Sequence, residues 1–118
     1  MSHPKIRPAS REDLEKFFDK FPWTFRALAA ELDGEVLAVG GIYYHKEFVV
    51  AFSQDVDNAH LKYPFTAARM TKEIMKLVDG RPCTAIASET IPGAPALLER
   101  LGFIHVEGRV WRWPKRVT

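Results

Sequence analysis

The dipeptide Asp33-Gly34, set between two apolar runs, is the feature that most constrains the fold of this chain. Asp-Gly is a preferred pair for a two-residue turn between antiparallel strands, so residues 23–32 and 35–45 are predicted to pair as a hairpin. In the second run, odd and even positions are both apolar, which is typical of a strand buried on both faces. Gly40-Gly41 inside that strand indicates a bulge or a close backbone approach.

Two amphipathic segments predict helices between the later strands. Pro64 suits the first turn of a helix that runs to about residue 78. Residues 94–101 carry a leucine stripe that ends at Gly102, a residue suited to the left-handed position after a helix. Because parallel strands need crossover connections, these helices imply that part of the sheet is parallel. The sequence therefore predicts an α/β fold with a mixed sheet.

The first helix is predicted from an N-cap at Ser10, with Asp13 completing an acidic variant of the capping box. Apolar residues at helical spacing extend it to residue 21, before Pro22. The whole predicted order is strand 5–8, helix 10–21, strands 23–32, 35–45 and 48–53, a polar connector over 54–60, helix 64–78, strand 83–88, helix 94–101, and strands 103–106 and 109–113.

Composition excludes several classes of protein. The 118 residues suit one domain, residues 1–118, and a hydrophobic fraction of 47% with 27% charged residues is that of a soluble globular protein. A net charge of +2 gives no reason to expect a nucleic-acid partner. Cys83 is the single cysteine, and neither a secretory signal nor an apolar run of ~20 residues is present. A cytoplasmic location without a membrane partner is predicted.

Three segments resemble the GNAT superfamily of N-acetyltransferases, in the family's order. Residues 6–13 (IRPASRED) are similar to its usual opening, residues 32–41 (LDGEVLAVGG) to its hairpin, and residues 97–103 (LLERLGF) to its "LGF" corner. The resemblance covers nearly the whole chain. It implies a GNAT-like β-α-β-β-β-α-β-α-β-β fold, in which two splayed central strands hold acetyl-CoA.

The resemblance also implies a cofactor site. The family binds the pyrophosphate on an Arg/Gln-x-x-Gly-x-Gly/Ala loop that opens a helix, where glycine lets phosphate approach the backbone N–H groups. In the matching segment, Lys62 is basic and Ala67 is small, but Phe65 replaces the central glycine and Pro64 has no N–H to donate. The implied cofactor-binding residues are Phe52, Ser53, Gln54, Lys62, Thr66 and Ala67.

The family's usual proton donor, a Tyr four residues before the glycine of "LGF", is replaced here by Leu98. The candidate catalytic residues are therefore Glu89, which would deprotonate an amine through water at the end of strand 83–88, and the hydroxyl of Tyr44. For each, a structural role is the favoured alternative: a solvated strand-end carboxylate for Glu89 and a core aromatic with a wet tip for Tyr44.

Other reactive side chains are interpreted as structural. His60 is predicted on a surface loop, and Cys83 is predicted as a buried thiol. The histidines have no metal-ligand spacing with each other or with Cys83, so no metal site is predicted. Trp111 and Trp113 are predicted to cover the sheet rather than to stack on nucleic-acid bases.

Two functions remain open from the sequence. The first is an acetyl-CoA-dependent N-acyltransferase that has a divergent cofactor loop and acts on an amine acceptor. The second is a catalytically degenerate GNAT-like protein that binds a protein partner or forms a homodimer. It would be similar to compact GNAT-like proteins of tailed bacteriophages, with a structural or host-modulating role.

Overall fold

The structure, a computed structural model, describes residues 3–22, 24–45, 48–79, 81–86 and 93–113. Within these ranges the chain forms seven strands and four helices. The strands are β1 (Lys5–Pro8), β2 (Phe25–Leu32), β3 (Glu35–His45), β4 (Phe48–Asp55), β5 (Cys83–Ile86), β6 (Ile104–Glu107) and β7 (Val110–Trp113). The helices are α1 (Arg11–Glu15), α2 (Ala59–Lys62), α3 (Pro64–Val78) and α4 (Ala94–Leu101).

The seven described strands belong to one mixed sheet, in the order β1-β2-β3-β4-β5-β7-β6. All neighbouring strands are antiparallel except β4 and β5, which run parallel. The connection between these two strands contains α2 and α3, as a parallel pair requires. The prediction of an α/β fold with a mixed sheet is confirmed at this level.

The β2-β3 hairpin forms where the Asp-Gly turn predicts it. Asp33 and Gly34 have φ values of 52° and 83°, the left-handed conformation that a tight turn of this kind needs at both central positions. A bulge interrupts the pairing after Ala30. A side chain at Gly41 would overlap the carbonyl oxygen of Arg26, so the close backbone approach predicted for the glycine pair is confirmed.

Helices pack on both faces of the sheet. On one face, Met70 and Ile74 of α3 pack with Ala30 of β2. Towards β5 and β7, the same face carries the largest core cluster, which includes Phe103 at 1% exposure. On the opposite face, Leu14 of α1 is fully buried and packs with neighbouring strand residues.

The first helix is shorter than predicted, because α1 ends six residues before the predicted end at residue 21. Phe18 and Phe21 lie after the helix and make edge-to-face contacts with Phe52 of β4, with ring centroids 5.8 and 4.9 Å apart. Aromatic packing on the sheet therefore determines the path of this segment, although the spacing of its residues is helical.

Further boundaries differ from the prediction: β2 begins at Phe25 instead of residue 23, and β6 spans Ile104–Glu107 instead of 103–106. The polar connector predicted over residues 54–60 is wrong at both ends, because β4 continues through Asp55 and α2 begins at Ala59. β7 begins at Val110, one residue later than predicted. Strand β5 is described as far as Ile86, and the last two residues of its predicted range lie outside the described residues.

An ion-pair network joins β1, α1 and β2. The Arg7 guanidinium donates to both carboxylate oxygens of Asp13, at 2.8 and 3.2 Å, and to Glu31 Oε1, at 2.8 and 3.0 Å. Asp13 also accepts the Ser10 backbone N–H, and Ser10 Oγ accepts the Asp13 N–H, which confirms the predicted capping box. Asp13 is 7% exposed, and its hydrogen bonds to Arg7 are the main reason its pKa falls to about 2.

We expect Asp13→Asn to lower the free energy of unfolding at pH 7 by about 1–2 kcal/mol. The pKa of the folded carboxyl lies near 2, below its ordinary value of 3.8. The stabilisation is therefore present above about pH 4 and is lost as the pH falls towards 2. Urea unfolding at pH 7 and pH 2.5 measures the effect, with the exposed Glu12→Gln in the same helical turn as control. An equal loss at both pH values would show that ionisation of Asp13 is not the cause.

Gly40 allows α3 to pack directly on the backbone of β3. A Cβ at this position would lie 2.7 Å from Ile74 Cδ1 and 3.2 Å from the Phe52 carbonyl oxygen. We expect Gly40→Ala to lower the free energy of unfolding by about 1–3 kcal/mol. Ile74→Val removes Cδ1, so the same substitution should cost less in that background. Equal costs in a double-mutant cycle by denaturant unfolding would argue against this contact.

Candidate functional site

A cleft of about 290 Å³ lies between the β3-β4 part of the sheet and α3. This volume lies just below the roughly 300–1,000 Å³ that is usual for ligand sites. Ala30, Ala38, Met70 and Ile74 contribute apolar surface. Its polar lining residues include Ser53, Gln54, Asp55, His60, Thr66 and Thr71. The cleft is therefore apolar inside, with polar groups contributed by the end of β4, α2 and α3.

Small side chains leave this space open. Ala30 of β2 and Ala38 of β3 lie below α3, where larger residues would fill the gap. Ala67, in the first turn of α3, lines the same cleft. Further along the helix, Ile74 reaches the backbone at Gly40 and closes the space. The cleft thus results from small residues beneath the N-terminal half of α3, whose C-terminal half packs tightly on the sheet.

The structure brings together four of the six predicted cofactor-binding residues. Ser53, Gln54, Thr66 and Ala67 line the cleft. Phe52 has its ring packed against Phe21 on the α1 side of the sheet. Lys62 is exposed and lines a separate cavity of about 230 Å³, together with Asp33, Glu35 and Asp57. Two elements distant in sequence, the end of β4 and the start of α3, therefore converge on one site.

The segment that resembles the pyrophosphate loop is a junction between two helices. α2 ends at Lys62 and α3 begins at Pro64. Tyr63 between them is both the C-cap of α2 and the N-cap of α3. The segment contains no glycine, and its Phe65 is 84% exposed. An anion loop lined by glycine N–H groups therefore does not form here.

Neither predicted catalytic residue is placed in the cleft by the described structure. Tyr44 lies five residues beyond the cleft residue Val39 on β3, a distance of ~17 Å along a strand. Its hydroxyl accepts a hydrogen bond from Arg81 Nη1 at 3.3 Å, and the Arg81 guanidinium carbon lies 5.6 Å from the ring centroid. Because Arg81 also donates to two carbonyls at the end of α3, Tyr44 supports that helix end. Glu89 lies outside the described residues.

The "LGF" corner is structural. Gly102 has a φ of 99°, and the Phe103 N–H donates to the Leu98 carbonyl at 2.9 Å, which closes the helix end as predicted. Leu98 packs against the main core cluster. Trp111 is buried in that cluster, and Trp113 Nε1 donates to a carbonyl at the end of α4, so the tryptophans cover the sheet as predicted.

An acid–histidine pair was missed by the sequence interpretation, which placed His60 on a surface loop. Asp55 Oδ2 accepts the His60 backbone N–H at 2.8 Å and lies 2.6 Å from His60 Nδ1. The Asp55 and His60 side chains are 7% and 22% exposed, and both residues line the cleft. Asp57-Asn58 between them, two residue types that tolerate left-handed backbone, permits the turn that joins them but does not by itself predict it.

The comparisons give no relatives from which to transfer a site. No protein-family model matches the chain, and no curated protein or solved structure matches it. Among the described residues, no group of three or more His, Cys, Asp or Glu side chains could hold a metal ion. No helix within the described ranges has the length and apolarity to cross a bilayer. The function must be inferred from the geometry of the cleft itself.

We expect the Cys83 thiol to be unreactive in the folded protein, as the prediction of a buried thiol requires. Cys83 is 3% exposed, and burial raises its pKa from 9.0 to about 11, although Arg81 nearby opposes the shift. At pH 8, the folded thiolate fraction should be about 100-fold below that of the unfolded chain. Reaction with a chromogenic disulfide should therefore be at least about 100-fold slower without urea than with it. Similar rates in the two conditions would contradict burial of this thiol.

Proposed function

We propose that this protein is a GNAT-like N-acyltransferase that binds the acyl-pantetheine arm of acetyl-CoA in the cleft and transfers the acyl group to an amine. The observation that carries the proposal is the convergence of Ser53 and Gln54 with Thr66 and Ala67 on one cleft. The GNAT resemblance implies these four residues as part of the cofactor site. The order of strands and helices, apart from the short α2, also supports a GNAT-like topology.

The position of Ser53 and Gln54 at the end of β4 supports the proposed position of the arm. Within the described residues, β4 and β5 pair at two positions, Val50 with Thr84 and Ala51 with Ala85. Beyond these pairs, Ser53 and Gln54 of β4 line the cleft. The amides of a pantetheine arm are suited to hydrogen bonding along a strand backbone.

The size of the cleft limits what enters it. At about 290 Å³ it suits the extended arm and a small acyl group, while the nucleotide would lie outside. The exposed cations Lys62 and Arg69 would attract its phosphates by charge, without the close backbone contacts of a glycine loop. We therefore propose weaker cofactor binding than a glycine-rich loop would give.

A different observation favours the second proposal, a non-catalytic GNAT-like protein that binds a protein partner or a second copy of itself. Leu61 and Phe65 are 69% and 84% exposed at the α2–α3 junction. Exposed apolar side chains also occur on the β5-β7-β6 part of the sheet, at Ile86, Ile104, Val106 and Val110. Apolar side chains on a surface are a common property of protein interfaces.

Thermal unfolding with acetyl-CoA tests the proposed function. A ligand at 100 times its Kd should stabilise the fold by about 2.7 kcal/mol, which raises Tm on the order of 10 °C for a chain of this size. Ala67→Phe fills the cleft and should abolish the rise in Tm. Ala96→Phe places the same ring on an exposed position of α4, outside the cleft, and should preserve it.

The absence of any Tm shift at millimolar acetyl-CoA would contradict the acyltransferase proposal. Light scattering then tests the second proposal, which expects a stable dimer or complex. A shift that survives Ala67→Phe would instead place the cofactor elsewhere on the protein.

A further inference from the structure

The Asp55–His60 pair holds one imidazole ring in a defined orientation at the cleft. Asp55 Oδ2 contacts two groups of the same residue, the His60 backbone N–H at 2.8 Å and the ring Nδ1 at 2.6 Å. Two attachments to one oxygen fix both the position of the residue and the direction of its ring. The Asp55 side chain is 7% exposed, so water competes little for these bonds.

The hydrogen bonds of Asp55 indicate which nitrogen of the His60 ring carries the proton. Because Oδ2 already accepts the backbone N–H, we assign the proton shared with Nδ1 to the nitrogen. In the neutral imidazole, Nε2 then carries the lone pair and is the basic nitrogen. If Nε2 takes up a proton, the Asp55 carboxylate stabilises the positive ring that results. A carboxylate–histidine pair of this kind is suited to accepting a proton.

The backbone between the two residues is held in an unusual conformation. Asp57 and Asn58 are consecutive residues with left-handed φ values of 49° and 55°. The turn is anchored by the Val56 N–H, which donates to the Leu37 carbonyl of β3 at 3.0 Å. Asp and Asn adopt the left-handed conformation more readily than other residues except glycine, so the sequence is compatible with this turn. This turn brings His60 back to Asp55.

We propose that His60 is the proton acceptor of the acyl transfer and that Asp55 is its positioning residue, an inference that rests on the proposed function. The neutral amine nitrogen attacks the thioester carbonyl carbon and transfers a proton to His60 Nε2. A C–N bond forms, the C–S bond breaks, and the departing CoA sulfur takes the proton from the imidazolium. Leu98 cannot supply that proton, so one residue acts as base and then as acid.

Other groups in the cleft do not compete for this role. Among the described lining residues, the remaining titratable side chains are Asp55 and Tyr63. Asp55 Oδ2 already accepts hydrogen bonds from His60. The phenol of Tyr63 is a much weaker proton acceptor than an imidazole nitrogen. Imidazole is the side chain whose ordinary titration range includes neutral pH.

The test combines acetyl-CoA binding with release of the CoA thiol. The rate of release is measured with water and with spermidine as acceptors, across a range of pH, while Tm shifts report binding of acetyl-CoA. We expect His60→Gln to lower the rate by about 100-fold or more and to remove one inflection from the pH profile. Its acetyl-CoA-dependent Tm shift should remain. His105→Gln, a change on β6 outside the cleft, is the matched control and should keep the wild-type rate.

Two further variants separate proton transfer from structural effects. Added imidazole should restore part of the rate of His60→Ala, because a base in solution can replace the lost ring, and a purely structural defect would not respond. Asp55→Asn should lower the rate by about 10–100-fold and alter the pH profile, since it disturbs the orientation of the ring.

The outcomes distinguish the inference from the proposed function. If acetyl-CoA stabilises the wild-type protein but His60→Gln keeps the rate and the pH profile, His60 is not the proton acceptor and the proposed function stands. The inference also fails if the wild-type protein binds acetyl-CoA but accelerates neither hydrolysis nor transfer to spermidine. If acetyl-CoA does not bind the wild-type protein at all, the proposed function fails and the inference fails with it.

Discussion

Packing of α3 on the bare backbone of β3 is the contact on which the rest of the structure depends. Ile74 Cδ1 occupies the space that a side chain at Gly40 would need. Met70, one turn earlier, packs with Ala30. These contacts set the height of the helix above the sheet. Because the sheet residues under the first half of the helix are also small, that height leaves a cleft there instead of a filled core.

The two ends of α3 therefore have different surroundings, the core at one end and the cleft at the other. Its last turn joins the core cluster through the fully buried Val78 and is held by Arg81, which contacts Tyr44. Its first turn contributes Thr66 and Ala67 to the cleft. Packing near Ile74 and Val78 holds α3 at its C-terminal end, while Thr66 and Ala67 at its N-terminal end border the open space of the cleft. Substitutions at the two ends should consequently have separable effects on stability and on binding.

The fold was predictable where a local signal determines the structure. The turn at Asp33-Gly34 and the proline at Pro64 place β3 and α3 with the predicted bounds, because each signal acts within a few residues of itself. The first helix was predicted too long because Phe18 and Phe21 occur at helical spacing but lie after the end of α1. Their rings pack on Phe52, which is far away in sequence, and no local pattern contains that contact.

The resemblance predicted that Ser53 at the end of a strand and Thr66 at the start of a helix lie together, and both residues line the cleft. The acid–histidine pair has no comparable signal. Asp57 and Asn58 tolerate a left-handed backbone, but the same two residues are equally common in open connectors, so their identities permit the turn without requiring it. The turn forms because the chain leaving β4 must return to start α2 beside the sheet. The hydrogen bond between Asp55 and His60 thus depends on the tertiary structure. The local sequence around each residue does not predict it.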